Sequence, residues 1–428
     1  MLVRQGMMGA RALEGTTMSS CPVDRRKTNY PGESRAHGIE LVDGTWQVRS
    51  MEAVRQVLRS RATTQAGFNA ESVTMRGLRK PILFADGEGH RSQRSAIARY
   101  FAPKTVDSRY HGVMERSADE LVAGLVQRGE VDLSQLSLHY SVVVAGEVVG
   151  LTSSDTAAMA RRLERFFDIP VVPADAKGTA SRFDTIAMAT RSHATMAAFF
   201  LKDVRPAIRA RRNPAPGTER PADVISHLVD AGYKDPEILI ECITYGAAGM
   251  VTTREYISMA TWHLLGDEPL RRRYLAADKA ERYTILHEIL RLEPIVGHLY
   301  RRTTEPVEVE LDGTTHHIPA GALLDLFIRN ANTDPEVVGE AAYDLCPGRE
   351  LPPRVGEEVM SFGDGPHKCP GNALAIQEAD VLLTRLLALP VRLTTTPVLG
   401  WDELIRGYSV RSIHLALDRE EAPAGSPG

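Results

Sequence analysis

A mainly α chain with minor β, folded as one large domain around a long central helix, is the class this sequence predicts. Three observations carry it. Apolar residues recur at helical spacing through most of residues 90–265, with breaks near 170–180 and 213–222. Alternation punctuated by turn residues is confined to about 39–48, 305–327 and 391–417. Residues 236–265 form an uninterrupted apolar helical stretch that spans about 45 Å at 1.5 Å per residue, as long as a domain is wide.

The elements follow in order. IELVDGTWQV alternates around Asp43-Gly44 and predicts a hairpin. SMEAVRQVLRS then reads as a short amphipathic helix. Residues 62–89 lack periodicity and read as one long loop, a length that in compact domains usually serves function. In the central stretch Asp235 is placed to cap and Pro236 to occupy the first turn. Its middle contains Gly246, Ala247, Ala248, Gly249, Thr252 and Thr253. Glycine costs about 1 kcal/mol in a helix interior, so these residues imply either tight helix packing or a flat, bulky group close to the backbone.

Composition narrows the class. Of 428 residues, 43% are hydrophobic and 25% charged, which fits a globular protein, and the net charge of -4 argues against nucleic acid or an anionic membrane as partner. The four cysteines, Cys21, Cys242, Cys346 and Cys369, are scattered without a CxxC pair, so neither a disulfide framework nor a zinc ribbon is expected and a reducing, cytoplasmic setting fits. There is no secretory-signal pattern and no apolar run long enough to span a membrane. Residues 1–20 and 419–428 are expected to be disordered, leaving 21–418 as the folded domain.

The chemistry concentrates in FGDGPHKCPGNALA, residues 362–375. Glycines and prolines bend the backbone around Cys369, and a helix beginning near 372 favours an anion at its N-terminus, so a thiolate is supported there. Phe362, Gly363, Gly365, His367, Cys369 and Gly371 reproduce F-G-x-G-x-H-x-C-x-G without a gap. In this loop the sequence resembles the bacterial, class I cytochrome P-450 family, whose corresponding cysteine is the thiolate ligand of haem iron. The resemblance spans about residues 21–418. It implies the cytochrome P-450 fold, haem b as cofactor and Cys369 as metal ligand.

Further motifs match in the family's order. Glu288 and Arg291 form its E-x-x-R pair, with Arg349 in DLCPGRE as third member of a structural triad bracing the cysteine loop. His90 and Arg94 match an H-x-x-x-R pair. Arg301 opens an R-x-A-like segment in which Thr303 replaces alanine, with Arg302 the fallback. Together with His367 these imply contacts to the two haem propionates. On the central helix, Ala248, Gly249, Met250, Val251, Thr252 and Thr253 match a segment that lies over the iron, with Thr252 as the alcohol that hydrogen-bonds dioxygen; alternatively Thr252 bonds back to its own helix.

Two departures stand out. Val251 occupies the position where the family usually has an acid that relays protons. Glu255 one turn on, polar groups on the substrate, or a radical-coupling reaction ending without oxygen insertion could each account for the loss. Pro370 follows the ligand and has no N–H, so one possible hydrogen bond to sulfur is absent and a lower haem potential is expected.

By the same resemblance, substrate contacts are implied at Gln65, Phe68 and Asn69, at Tyr245 and Val251 on the central helix, at Val296, Gly297 and His298, and at Ile405 and Tyr408, beneath a lid of helices near 165–195. The resemblance also implies oxidation of a small-molecule natural product, by hydroxylation or oxidative coupling, with electrons from a separate ferredoxin and reductase. The Val-Thr-Thr-Arg-Glu run and Gln65 point toward tryptophan-containing cyclodipeptides. A peroxide-using enzyme and a non-catalytic haem-binding sensor are the rival readings.

Overall fold

The computed structural model describes residues 24–29, 32–68, 70, 77–167, 193–402 and 405–418. Expectations for the two chain ends, for Asn69 and for most of the 165–195 lid lie outside them.

The first hairpin forms as expected, β1 (Ile39–Val42) against β2 (Thr45–Val48). The amphipathic helix Met51–Arg59 follows and buries Met51, Ala53, Val54, Val57 and Leu58. Its first N–H donates to Asp334 Oδ2 at 2.8 Å, a cap brought from nearly three hundred residues away that no local pattern could announce. The expected loop of 62–89 is partly ordered: β3 (Thr63–Gln65) adds to a sheet, and helix Gly87–Phe101 begins before its end. A three-residue strand has too few positions to show alternation, so it reads as loop in the sequence.

That sheet has five strands in the order β1-β2-β8-β5-β3, with β5 at His298–Thr303 and β8 at Leu323–Phe327. β2 and β8 pair in parallel; the other pairs are antiparallel. The register sets Gln65 directly opposite Arg301 and His298 opposite Phe327. β6 (Val307–Leu311) and β7 (Thr314–Ile318) form a separate hairpin. A small core of Val54, Val57, Val309, Leu324, Leu326 and Met360 joins the first helix to these strands.

The larger core is helical. The expected central helix is present over Asp235–Gly246 and Thr252–Gly266, joined by a π-helical turn at Ala247–Val251. The start is corrected by one residue: Lys234 is the N-cap and its N–H donates to Glu237 Oε2 at 2.7 Å, so Asp235 and Pro236 lie within the first turn. Glycine and alanine at 246–249 supply little side-chain packing to hold an α register, and π turns of this kind concentrate at functional sites. Around this helix pack His111–Arg128, Leu133–Val149, Lys279–Leu292 and Asn372–Leu387. Asp132 caps Leu133–Val149 through the Ser134 N–H at 2.8 Å.

The expected extended pair at 391–417 divides between two sheets. β10 (Val398–Asp402) and β11 (Gly407–Arg411) make a hairpin. β12 (His414–Leu417) instead pairs with β9 (Val391–Leu393) and with the distant β4 (Glu130–Asp132). The turn of the hairpin docks on the segment before β5: Gly297 N–H and His298 N–H both donate to the Ile405 carbonyl, at 3.0 and 3.2 Å. Among the described residues no helix is long and apolar enough to cross a membrane.

Candidate haem-thiolate site

The Cys369 loop is fixed from three sides. Cys369 N–H donates to the Phe362 carbonyl at 2.8 Å, closing the loop on itself. Asp364 accepts Gly365 N–H at 2.6 Å and pairs with Arg59 and Arg55, at 2.9 and 3.6 Å, from the end of the first helix. Lys368 pairs with Glu358 at 2.8 Å. Gly363 N–H donates to Met360 O, and the Phe362 ring meets His287 edge-on at 6.5 Å.

Gly365 is required twice. Its φ of +66° is the left-handed region, and a Cβ there would run into the Leu58 carbonyl. Gly365→Ala is expected to destabilise the chain by about 1–3 kcal/mol and to loosen the loop. Thermal unfolding and the rate of Cys369 alkylation would read it; an unchanged melting temperature and alkylation rate would refute the steric account.

Burial pushes the Cys369 thiol up, while the Gly371 N–H, which hydrogen-bonds the sulfur, and the charges of Arg94 and Lys368 act in the opposite sense. The other described thiols are worse placed. Cys242 is fully buried, and burial raises both it and Cys346.

Beside the loop lies a cationic cluster. Arg94 donates to the Lys368 carbonyl. Arg301, only 3% exposed, donates to Gln65 Oε1 and to Tyr300 O at 2.8 Å. Neither guanidinium forms an ion pair with a carboxylate of the described residues, and burial draws Arg301 down to about 10. His90 stacks on His367 with ring centroids 4.0 Å apart, and His367 Nε2 meets Asp86 Oδ1 at 3.1 Å. Burial, with His367 and Arg94 adding to it, lowers His90 to about 4. Arg301 is buried and Arg94 half-buried, and two guanidinium groups in no ion pair with a described carboxylate suit two propionates. Arg302, in contrast, reaches the Gly321 carbonyl at the surface.

In the haem-free protein His90 therefore titrates near 4 when folded and near 6.5 when unfolded. Between these values the unfolded state binds the extra proton, so this contribution is fully present above about pH 6.5 and is lost as pH falls toward 4. His90→Gln is expected to flatten the acid limb of the stability profile, and equal slopes in urea titrations across that window would contradict it.

The centre of the long helix borders open space. Residues on either side are buried, yet Ala248 is exposed and Ala247, Gly249, Val251 and Thr252 are half-buried. Thr252 Oγ1 donates to the Ala248 carbonyl at 2.6 Å, the back-bond expected as one alternative. Arg94, held on the Lys368 carbonyl, lies within electrostatic reach of the Cys369 thiol. The thiol, the arginines without carboxylate partners and the accessible run of small residues together fit a haem. Glu288 accepts from Arg291 Nε at 2.7 Å, Arg349 Nη2 at 3.1 Å and Cys346 N–H at 2.9 Å, so the three triad residues meet.

Several expected site residues are placed elsewhere. Glu255 is 2% exposed, and its oxygens accept from Arg254, Arg411 and the Val410 N–H. It is a structural carboxylate pinning β11 to the central helix, and three strong donors leave it unsuited as a proton relay. Tyr408 is 2% exposed and donates to the Glu293 carbonyl, so it belongs to the core. Gln65 serves Arg301. His298 Nδ1 lies 2.7 Å from Asp325 Oδ1, with its ring against Phe327 at 4.1 Å. Val296, Phe68 and Ile405 are half-buried. Tyr245 stacks on Phe101 at 6.3 Å. Sequence reasoning missed Asp86, whose position one residue before helix Gly87–Phe101 was a cap-like signal, and Asp364, which carried none.

These features fit a thiolate site for a planar metal cofactor, and comparison with known proteins shows what the chain resembles. A family model described as Cytochrome P-450 matches residues 283–389. Cytochrome P-450(MEG) of Priestia megaterium is 24% identical over 88% of this chain and 90% of its own. Erythromycin C-12 hydroxylase of Saccharopolyspora erythraea is 26% identical over 82% and 83%. The crystal structure of CalO2 superposes with a TM-score of 0.70 at 24% identity, covering 89% of this chain and 92% of its own. The chain is similar to the cytochrome P-450 family, oxidoreductases that bind haem b through a cysteine thiolate.

Proposed function

We propose that this protein oxidises a small-molecule natural product in secondary-metabolite biosynthesis, by hydroxylation or oxidative coupling, with dioxygen and with electrons from a separate ferredoxin and its reductase. The observation that carries the reading is the accessible small-residue turn Ala247–Thr252 on the central helix, together with the Cys369 loop that holds Arg94 through the Lys368 carbonyl. Relatives support the product class by name, among them the erythromycin hydroxylase and cyclomarin C epoxidase CymV of Salinispora arenicola. The cytoplasm is the proposed location.

In this reading Cys369 ligates the iron, Arg94 and Arg301 neutralise the propionates, and Phe362, Gly363, His367 and Gly371 shape the loop beneath. Haem bound there supplies dioxygen activation and abstraction of hydrogen from substrate. Ala248 and Gly249 keep the opposite side low. Thr252 Oγ1, held by the Ala248 carbonyl, can pass a proton at that face. With Val251 apolar and Glu255 committed to its arginines, the remaining routes are polar groups of the substrate or a coupling outcome. Tyr245, Val251, Val296, His298 and Ile405 are the proposed substrate contacts.

Pro370→Leu restores an N–H next to the ligand and is expected to raise the haem potential by weakening electron donation from sulfur; a variant potential at or below that of the native protein would refute this.

The test is a Soret titration of the haem-loaded protein with candidate substrates, tryptophan cyclodipeptides first, followed by turnover under labelled oxygen with redox partners. A saturable spin shift and label in the product mean hydroxylation; a shift and unlabelled dimer mean coupling. Turnover with hydrogen peroxide exceeding that with partners selects a peroxide-using enzyme. A shift without turnover by any electron source selects a sensor.

A further inference from the structure

The central helix carries a second polar feature about two turns before the accessible stretch. Glu241 is 3% exposed. Its Oε1 accepts the Ile82 N–H at 3.0 Å, while Oε2 is buried with no hydrogen-bond partner among the described residues. One turn earlier, Glu237 Oε1 accepts the Arg79 N–H at 2.9 Å. Two carboxylates four residues apart thus strap residues 79–82, which lead into helix Gly87–Phe101, onto the central helix.

Glu237 is satisfied; Glu241 is not. Among the described residues no cation pairs with Glu241: Arg79, on the segment that it straps, lies over the Tyr233 ring at 4.3 Å and donates to the Ala231 carbonyl. The Tyr233 and Tyr245 hydroxyls and the Cys242 thiol are the groups within its electrostatic reach. Burial accordingly pushes Glu241 up to about 7, with only the Ile82 N–H opposing. A buried carboxyl with a free oxygen and aromatic neighbours is costly to the fold, and such a group beside a binding face is a functional candidate. Glu241 stands three residues before Thr244 and four before Tyr245, and seven before Ala248, so helical spacing aligns it with the accessible stripe.

We infer that Glu241 is a specificity-determining residue whose Oε2 receives a protonated amine of the substrate. The inference rests on the proposed oxidase reading and names a chemical feature of its substrate. The amine brings a positive charge that no described residue gives this site, and Tyr233 and Tyr245 provide aromatic surface beside it. Oε1 keeps the 79–82 strap closed while Oε2 binds, so substrate charge and closure of this wall are coupled.

The test compares matched pairs of aromatic probes, each pair differing only in a dimethylammonium group against an isopropyl group. A protonated tertiary amine cannot ligate the iron, so the spin shift reports occupancy, and calorimetry gives affinity without relying on the haem. The haem-loaded protein is expected to bind the ammonium member at least tenfold more tightly. Glu241→Gln retains the acceptor for Ile82 N–H and is expected to fold normally yet lose that preference. Equal binding of the two members, a preference kept by Glu241→Gln, or binding of neither overturns the inference. Failure to incorporate haem would instead strike the oxidase reading, and calorimetry would still judge the amine preference.

Discussion

Glu288→Ala is expected to cost about 3–5 kcal/mol, the penalty of leaving a buried charge without its partner. Arg291 is 1% exposed, and two of its nitrogens are held by Glu288 at 2.7 and 2.8 Å. The same guanidinium reaches the carbonyls of Asn332, Ala342 and Asp344, so it fastens the 332–346 segment to helix Lys279–Leu292. Removing the carboxylate also strips Arg349 of its ion-pair partner and the Cys346 N–H of its acceptor. Against a total stability of about 5–15 kcal/mol, the loss should move the urea midpoint sharply and reduce soluble yield. Glu288→Gln keeps shape and one acceptor oxygen, so it should fall between the two. A midpoint shared by all three proteins would show that the triad is not a stabilising centre.

Cys369→Ser should produce the opposite combination, an intact fold with lost chemistry. The side chains that anchor the loop are Asp364, Lys368 and their partners, and the Cys369 backbone bond to Phe362 O survives the change. Circular dichroism and the melting temperature of the haem-free chain should therefore be nearly unchanged. What should vanish is the thiolate signature in the carbon-monoxide difference spectrum, together with turnover, because a serine hydroxyl is a harder and far less acidic ligand. Retention of that signature would transfer the ligand role to another thiol. Cys242, fully buried within the central helix, and Cys346, beside the Glu288 carboxylate, are poor candidates on electrostatic grounds.

The two variants separate what was local in the sequence from what was not. The Cys369 loop was legible because its constraints are contiguous: turn residues, a ligand and a following helix all sit within residues 362–375. The central helix was legible because an apolar stretch as long as residues 236–265 exceeds any ordinary strand and fits a buried helix. Its π turn was not, since the glycine and alanine run marks weak packing without saying how the backbone responds.

Glu255 and Tyr408 illustrate the limit at the site. One turn beyond Thr252, a carboxylate is equally placed to relay protons or to pair with cations; only the arrival of Arg411 and the Val410 N–H from β11 decided the matter. Tyr408 sits on a strand whose two faces alternate, and the side it presents was fixed by the Glu293 carbonyl beneath it.

By itself the sequence determined the helical class, the long central helix and the turn-rich thiol loop, because each rests on spacing within one segment, whereas the cations near the loop were named only through the family resemblance. Tertiary structure alone decided that Asp334 caps a helix far upstream, that Gln65 faces Arg301, and which cations lack a carboxylate partner and which Glu241 oxygen lacks a hydrogen bond among the described residues. These are relations between segments distant in the chain, and the free energy of a buried polar group depends on whatever the fold brings within hydrogen-bond reach of it.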